Sequence, residues 1–176
     1  DVWGEVVSCA PFLKFRWRTE AQDWHEVQTH LIGSYNIDNM LAAISIGLHF
    51  DVNPQQVDHA LENYLPSNNR SQLDVTEKNH LVVDAYNANP SSMAAAIENF
   101  RLMDVPSKMA ILGQMGELGA VSHEEHLKVV AQLQAAGLSN VWLVGKEFAD
   151  IDCPYRKFND VEEVKAAIRE EQPANH

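Results

Sequence analysis

Three short apolar runs in the second half of the chain constrain its fold more than any other feature. They are LVVDAY from Leu81, KMAILG from Lys108 and NVWLVG from Asn140. The runs lie about 30 residues apart, as parallel strands joined by crossover helices require. Their unbroken hydrophobicity is typical of strands that are covered on both faces. We therefore predict an α/β fold, a Rossmann-like and mostly parallel sheet with strands near 81–84, 108–112 and 141–144.

Helix signals fill the intervals between these runs. Asn89-Pro90 can cap and open one helix, and Asp160 can cap another. Ser122 and Glu125 have the spacing of a capping box. We expect helices near 90–103, 122–136 and 160–171.

The chain before Pro66 has a different pattern. Residues 11–18 alternate apolar and basic side chains, with Leu13, Phe15 and Trp17 on one side, and residues 25–32 are the expected partner strand. A helix is predicted from Tyr35 to Phe50, and a second begins at Pro54, where Val57, Ala60, Leu61 and Tyr64 would share its buried face.

The segment 66–72, PSNNRSQ, is a run of turn-forming residues between the pattern of the first part of the chain and the alternating strands and helices that follow. We take it as the domain boundary and predict two pieces, residues 1–69 and residues 70–176. Because the first residue is Asp1 rather than Met, we expect a piece of a longer protein.

Charge and composition exclude several classes of function. Of 176 residues, 25 are Asp or Glu and 13 are Lys or Arg, so the formal net charge is -12 and the chain repels nucleic-acid phosphates. No stretch approaches the roughly 18 consecutive apolar residues of a membrane span. Cys9 and Cys153 are too few for a disulfide framework. We expect a cytoplasmic protein with no nucleic-acid partner and no membrane insertion.

Polar residues follow the first apolar run, where an open parallel sheet binds ligands. A carboxylate at a strand end, such as Asp84, can accept hydrogen bonds from a ribose, and Asn87 and Asn89 can offer amides. The N-terminus of the next helix favours anions. The alternative is that Asn89 only caps that helix and that Asp84 only pairs with amides of its own loop.

Two further patterns are less specific. The loop GQMGELG, residues 113–119, is rich in glycine but matches neither GxGxxG nor the phosphate-binding GxxxxGK[ST] motif. His123 and His126 have a spacing compatible with metal ligation, but no third ligand is evident, so no metal site is expected within the chain.

Three residues of the first piece and the boundary could contact a nucleotide. The amides of Asn36 and Asn39 match the donor and acceptor edge of adenine, although both residues could equally be a helix cap and a turn residue. Arg70 could reach a nucleotide between two domains or could be a solvated linker charge.

Four strings together carry a family resemblance: HLIGSYNIDNMLAA, NNRSQ, VVDAYNANPSSMAAAI and AILGQMGELG, in this order. The chain resembles the ATP-dependent Mur ligases of bacterial peptidoglycan synthesis from about His30 to Gly145. Within the family it is most similar to the ligase that joins D-alanyl-D-alanine to UDP-N-acetylmuramoyl-tripeptide. The resemblance implies that residues 1–69 are the end of a central ATPase domain and residues 70–176 most of a C-terminal Rossmann-like domain. It also implies ATP and Mg2+ as cofactors and a monomeric enzyme.

The resemblance assigns roles to individual residues. Asn36 and Asn39 match the family's adenine-side motif, Arg70 matches the nucleotide-contacting arginine of the domain junction, where a hinge would act, and Asp84 matches the ribose-binding aspartate. Tyr86, Asn87 and Asn89 would face D-alanyl-D-alanine and the nucleotide. The family's pattern has other residues at the positions of Tyr35, Ala85 and Gln114.

Two motifs of the family are absent from the 176 residues, the GKT-type phosphate loop and the Lys-Gly-Ser motif. The resemblance therefore implies that the phosphate-binding lysine and the metal ligands lie elsewhere in the parent enzyme, and that this piece alone is inactive. Two alternatives remain. One is a folylpolyglutamate synthase or another Mur ligase with a different acceptor, and the other is a non-catalytic module that binds a nucleotide or a protein.

Overall fold

The structure is a computed structural model that describes residues 1–9, 11–21, 23–67, 72–85 and 87–176. It divides into two compact units, Asp1–Leu73 and Asp74–His176. Most of the predicted boundary segment lies outside the described residues. The assignment of residues 1–69 and 70–176 to two ligase domains stays a prediction.

The first unit contains a three-stranded antiparallel sheet. Its strands, in spatial and chain order, are β1 (Val2–Cys9), β2 (Phe12–Thr19) and β3 (His25–Ile32). The alternation in β2 predicted one buried face, and this is confirmed, because Leu13, Phe15 and Trp17 are fully buried. Phe15 stands opposite Val27 of β3, which is also fully buried.

Two helices cover the apolar face of this sheet. They are α1 (Asn36–His49) and α2 (Pro54–Asn63). The core that they form with the sheet includes Leu13, Phe15, Trp17, Val27, Leu31, Met40, Ile44, Val57 and Leu61. The predicted buried face of α2 is half wrong, since Ala60 and Tyr64 are exposed. The buried apolar residues of this helix are Val57 and Leu61, one turn apart.

A polar cluster also ties α2 to the sheet. The buried indole of Trp17 donates from Nε1 to Oδ1 of Asp58 over 2.8 Å. The other carboxylate oxygen, Oδ2, lies 2.6 Å from Nδ1 of His25. The ring of His25 stacks on that of Trp17 with 4.5 Å between centroids. One carboxylate thus satisfies polar groups from two strands.

The first apolar run does not join the parallel sheet, so this part of the prediction is wrong. β4 (Gln72–Val75) and β5 (His80–Val83) form a separate two-stranded sheet. A short turn connects them, in which the backbone N–H of Thr76 donates to the carbonyl of Asn79 over 2.9 Å. Closing this short loop costs far less chain entropy than pairing with a distant strand. Leu81 is 44% exposed, whereas a strand covered on both faces would bury it.

The other two runs form the predicted parallel sheet. β6 (Ala110–Gly113) and β7 (Val141–Val144) pair in parallel, and β8 (Arg156–Phe158) extends the sheet beyond β7. β8 is three residues long and carries two charges, so it has no strand signal of its own.

Three helices accompany the sheet at the predicted places: α3 (Pro90–Leu102), α4 (Ser122–Ala135) and α5 (Val161–Glu171). The predicted caps Asn89 and Asp160 are confirmed. The predicted capping box of Ser122 and Glu125 is wrong. A 3-10 turn, Gly119–Val121, runs directly into α4, so Val121 takes the N-cap position and Ser122 lies inside the helix.

The central strand β7 is buried on both faces, as its sequence predicted. Val141 and Leu143 pack with Val129 and Leu133 of α4 and with Ile97 of α3. Trp142 and Val144 point the other way, in a cluster with Phe158, Val164 and Ala167. The sheet therefore lies between α3 and α4 on one side and α5 on the other. Among the described residues, no helix combines the length and apolar character that crossing a membrane would need.

Candidate functional site

The carboxyl ends of β6 and β7 lie side by side. The backbone N–H of Gln114, directly after β6, donates to the carbonyl of Val144 over 2.8 Å. The side-chain Oε1 of Gln114 accepts from the backbone N–H of Glu147 over 3.2 Å. Gly145 has φ +123°, and a Cβ there would lie 2.3 Å from Gln114 Oε1, so only glycine fits at the point where the two loops meet. Gln114, one of the three departures from the family's pattern, thus connects the two strand-end loops.

The loop that follows β6 presents its backbone outward. Met115 is buried, whereas Gly113, Gly116 and Gly119 face open space, since a Cβ on any of them would meet no atom within 4 Å. Glu117 has φ +61°, a conformation that costs a residue with a side chain on the order of 1 kcal/mol or more. A strained loop with uncovered backbone at a strand end is a suitable place for a ligand.

His126 is a structural residue, and a metal-ligand role for it is excluded by its hydrogen bonds. The ring is fully buried, with Nε2 accepting from the backbone N–H of Met115 over 3.0 Å. Nδ1 lies 2.7 Å from the carbonyl oxygen of Ser122 and therefore carries the proton. His123 is exposed on the same helix. In the described ranges, no group of three or more His, Cys, Asp or Glu could hold a metal ion.

Two predicted ligand-binding residues lie after β5. Asp84 directly follows the last strand residue, Val83, and both Asp84 and Asn87 are exposed. Ala88 packs against the same core cluster as Met115, so this segment and the glycine-rich loop share one support. Tyr86 and Arg70 lie outside the described residues, and their predicted roles stay predictions.

Asn89 caps α3, as the alternative interpretation held. Its Oδ1 accepts from the backbone N–H of Ser92 over 2.9 Å and from the hydroxyl of Ser91 over 2.8 Å. The backbone N–H of Asn89 donates to Oγ of Ser92 in return, over 3.1 Å. Because Oδ1 and the backbone N–H of Asn89 already have partners, a contact with a ligand would use its side-chain nitrogen, Nδ2.

Asn36 and Asn39 have different environments in the first unit. Asn36 is buried, and its Nδ2 donates to the carbonyl of Ile32 at the end of β3 over 2.9 Å. Asn39 is exposed one helical turn later and donates from Nδ2 to Oδ1 of Asn36 over 3.1 Å. Neither side chain caps α1, whose N-cap position belongs to Tyr35. Of the two, Asn39 is the one that a ligand can reach.

Comparisons with known proteins agree with the fold and the motifs. Residues 69–174 match the family described as Mur ligase, glutamate ligase domain. The chain is 33% identical over 122 residues to the UDP-N-acetylmuramoyl-tripeptide--D-alanyl-D-alanine ligase of Treponema pallidum. The aligned region covers 69% of this chain and 26% of that protein. It thus spans about a quarter of the length of this relative.

Solved structures give the same fold. A crystal structure of MurF from Acinetobacter baumannii superposes with a TM-score of 0.81 at 25% identity, over 98% of this chain and 40% of the other. MurF ligase from Thermotoga maritima, in complex with ADP, superposes with a TM-score of 0.79 at 18% identity, over 99% of this chain and 41% of the other. The second similarity concerns the fold alone.

The family match extends over more than half of the chain, and it includes both the parallel sheet and the loops at its carboxyl edge. The chain belongs to the Mur ligase family, and its residues 69–174 form a glutamate ligase domain of that family.

Proposed function

We propose that the chain is the C-terminal part of an ATP-dependent ligase that adds D-alanyl-D-alanine to UDP-N-acetylmuramoyl-tripeptide. The observation that carries the proposal is that Asp84, Asn87 and Asn89 are exposed polar residues between the end of β5 and the start of α3. The similarity to a ligase named for this reaction supports the choice of acceptor. We further propose that the enzyme is a cytoplasmic monomer.

Asp84 is the proposed ribose ligand. Its carboxylate is exposed at a strand end, where it can accept hydrogen bonds from both ribose hydroxyls. Asn39 would contact the adenine edge, and Arg70 would contact the nucleotide from the junction. The ADP bound by the Thermotoga relative is consistent with nucleotide binding by this fold.

The proposed reaction needs activation of a carboxylate, which is a poor electrophile. A carboxylate oxygen of the tripeptide attacks the γ-phosphorus of ATP, and ADP leaves, giving an acyl phosphate. The amine of D-alanyl-D-alanine then attacks the acyl carbon, the bond to the phosphate oxygen breaks, and phosphate and a proton are released. We propose that the share of this chain in the reaction is to bind and orient the nucleotide and the acceptor.

The acceptor is tested with the full-length ligase and a panel of amines. We expect ADP release that requires both the tripeptide precursor and D-alanyl-D-alanine. L-alanine, D-glutamate and L-glutamate should give no release. Release with L-glutamate and a folate precursor would identify a folylpolyglutamate synthase instead, and release with L-alanine another Mur ligase. The isolated 176-residue chain should release no ADP with any of them.

Asp84→Ala in the full-length ligase separates a ribose ligand from a loop-stabilising residue. Loss of one charge-assisted hydrogen bond, about 1.5–3 kcal/mol, should raise the KM for ATP by about tenfold to 150-fold. The melting temperature should change little, because the side chain is exposed and interactions of a solvated carboxylate contribute little to stability. Asp104→Ala, which removes another exposed carboxylate after α3, is the matched control. An unchanged KM with a lowered melting temperature would remove Asp84 from the site.

A further inference from the structure

Four hydrogen bonds and one peptide bond close a ring at the carboxyl edge of the parallel sheet. Met115 N–H donates to Nε2 of His126, whose Nδ1–H donates to the carbonyl of Ser122. The hydroxyl of Ser122 donates to Oε2 of Glu147, and the backbone N–H of Glu147 donates to Oε1 of Gln114. Gln114 precedes Met115 in the chain, which completes the circuit. We call these five residues the loop ring.

The loop ring connects three segments that are distant in sequence. Gln114 and Met115 belong to the glycine-rich loop after β6, Ser122 and His126 to the first turns of α4, and Glu147 to the 3-10 turn after β7. Each segment contributes at least one donor or acceptor on its backbone. The loop ring therefore links the backbones of all three segments.

The imidazole of His126 is fully buried. Its ring packs edge-on against Phe148, with 4.7 Å between centroids. Both nitrogens are used by backbone groups, so the Nδ1–H tautomer is fixed. A core-filling apolar residue of similar size would leave the buried N–H of Met115 without this acceptor, which is costly.

The loop ring holds the base of a loop that is otherwise open. Beyond Met115, Gly116 and Gly119 face open space and Glu117 keeps a positive φ. Such a strained conformation persists only where the surroundings fix it. Gly145, on the other side of the loop ring, has a positive φ as well.

We propose that His126 is a positioning residue, which through the loop ring holds the backbone of residues 113–119 in the conformation that meets the ligands of the ligase site. The identity of those ligands rests on the proposed function, but the loop ring is measurable in the 176-residue chain without any ligand. His126 does not touch a substrate in this account. It acts through Met115.

Amide hydrogen exchange followed by NMR tests this role with two substitutions. In His126→Leu, which removes the acceptor, the amides of Met115 and Glu147 should exchange at least tenfold faster, while those of β8 and α5 stay within about twofold. In His126→Gln, whose Oε1 can accept the N–H of Met115, exchange at Met115 should return to within about threefold of the original. Unchanged Met115 exchange in His126→Leu, or no rescue by His126→Gln, would overturn the proposal.

Leu133→Ala is the matched control for loss of packing. Leu133 is fully buried on the same helix and in the same core cluster but lies outside the loop ring. It should accelerate exchange throughout the second unit without preference for Met115. If His126→Leu gives this same uniform pattern, His126 only fills the core and the proposal is wrong.

Glu147→Ala keeps the test decisive if His126→Leu does not fold. Glu147 is exposed, so its removal spares the core but breaks the bond to Ser122. Amides of Gln114, Met115 and Gly116 should then exchange at least threefold faster, and unchanged exchange there would overturn the proposal. In the full-length ligase, His126→Leu should raise the KM for ATP or acceptor and His126→Gln should not. Absence of any ligase activity in the parent would contradict the proposed function while leaving the exchange result intact.

Discussion

Replacing Asn36 and Asn39 one at a time separates a structural asparagine from one that is available to a ligand. Asn36→Ala removes two hydrogen bonds, the donation to Ile32 and the acceptance from Asn39. At about 0.5–1.5 kcal/mol each, the loss is about 1–3 kcal/mol. Alanine regains about 0.5 kcal/mol of helix propensity. The free energy of unfolding of the first unit should fall by about 0.5–2.5 kcal/mol.

Asn39→Ala should leave that free energy almost unchanged. The substitution removes one hydrogen bond at an exposed position, about 0.5 kcal/mol, and regains a similar amount of helix propensity. The expected change is within about 0.5 kcal/mol. In the full-length ligase, however, Asn39→Ala should raise the KM for ATP, because we propose that this amide contacts adenine.

Urea unfolding followed by tryptophan fluorescence measures both variants. Trp17 is buried in the core that α1 covers, so its emission reports the loss of this packing. The slope of free energy against urea should stay constant, which shows that only stability has changed. Equal destabilisation by both substitutions, or none by Asn36→Ala, would refute the distinction that the structure makes between them.

Three other predictions concern contacts outside the proposed site. Asp58→Ala should lower the free energy of unfolding by about 2–3 kcal/mol in urea titrations, because the buried N–H of Trp17 loses its acceptor; Asp58→Asn should recover part of the loss. Gly145→Ala should lower it by about 1–3 kcal/mol, because φ +123° and contact with Gln114 exclude a Cβ; a thermal melt unchanged from the original would contradict this. Burial raises the pKa of the Cys9 thiol, although a backbone hydrogen bond from Gly33 opposes the shift. At pH 8 iodoacetamide should therefore alkylate Cys9 more slowly in the folded chain than in urea, by mass spectrometry of the Cys9 peptide, and equal rates would contradict the burial.

Periodicity and capping signals predicted most of the fold because they are local. The alternation of Leu13, Phe15 and Trp17 and the caps Asn89 and Asp160 depend on neighbours within a few residues. The failures involve competition between partners. β5 pairs with β4 across a short turn, and the 3-10 turn before Ser122 displaces a capping box that the sequence favours.

The candidate site was predictable only as far as its residue types. Asp84, Asn87 and Asn89 could be placed at a strand end because the apolar run and the Asn-Pro signal bracket them. That Asn36 is buried and Asn39 exposed could not be predicted, since both lie in one helical turn and only the tertiary fold distinguishes them. The loop ring was missed because its members lie on three segments, and only the spacing of Ser122 and His126 is visible locally.

Oxygen transfer from the carboxylate to phosphate is the most direct test of ATP-dependent joining through an acyl phosphate. The full-length ligase is given a tripeptide precursor with 18O in its terminal carboxylate, together with ATP and D-alanyl-D-alanine. We predict that the released phosphate carries one 18O atom for each peptide bond formed, because the carboxylate oxygen leaves with the phosphoryl group. Formation of the product with phosphate that contains no 18O would contradict it.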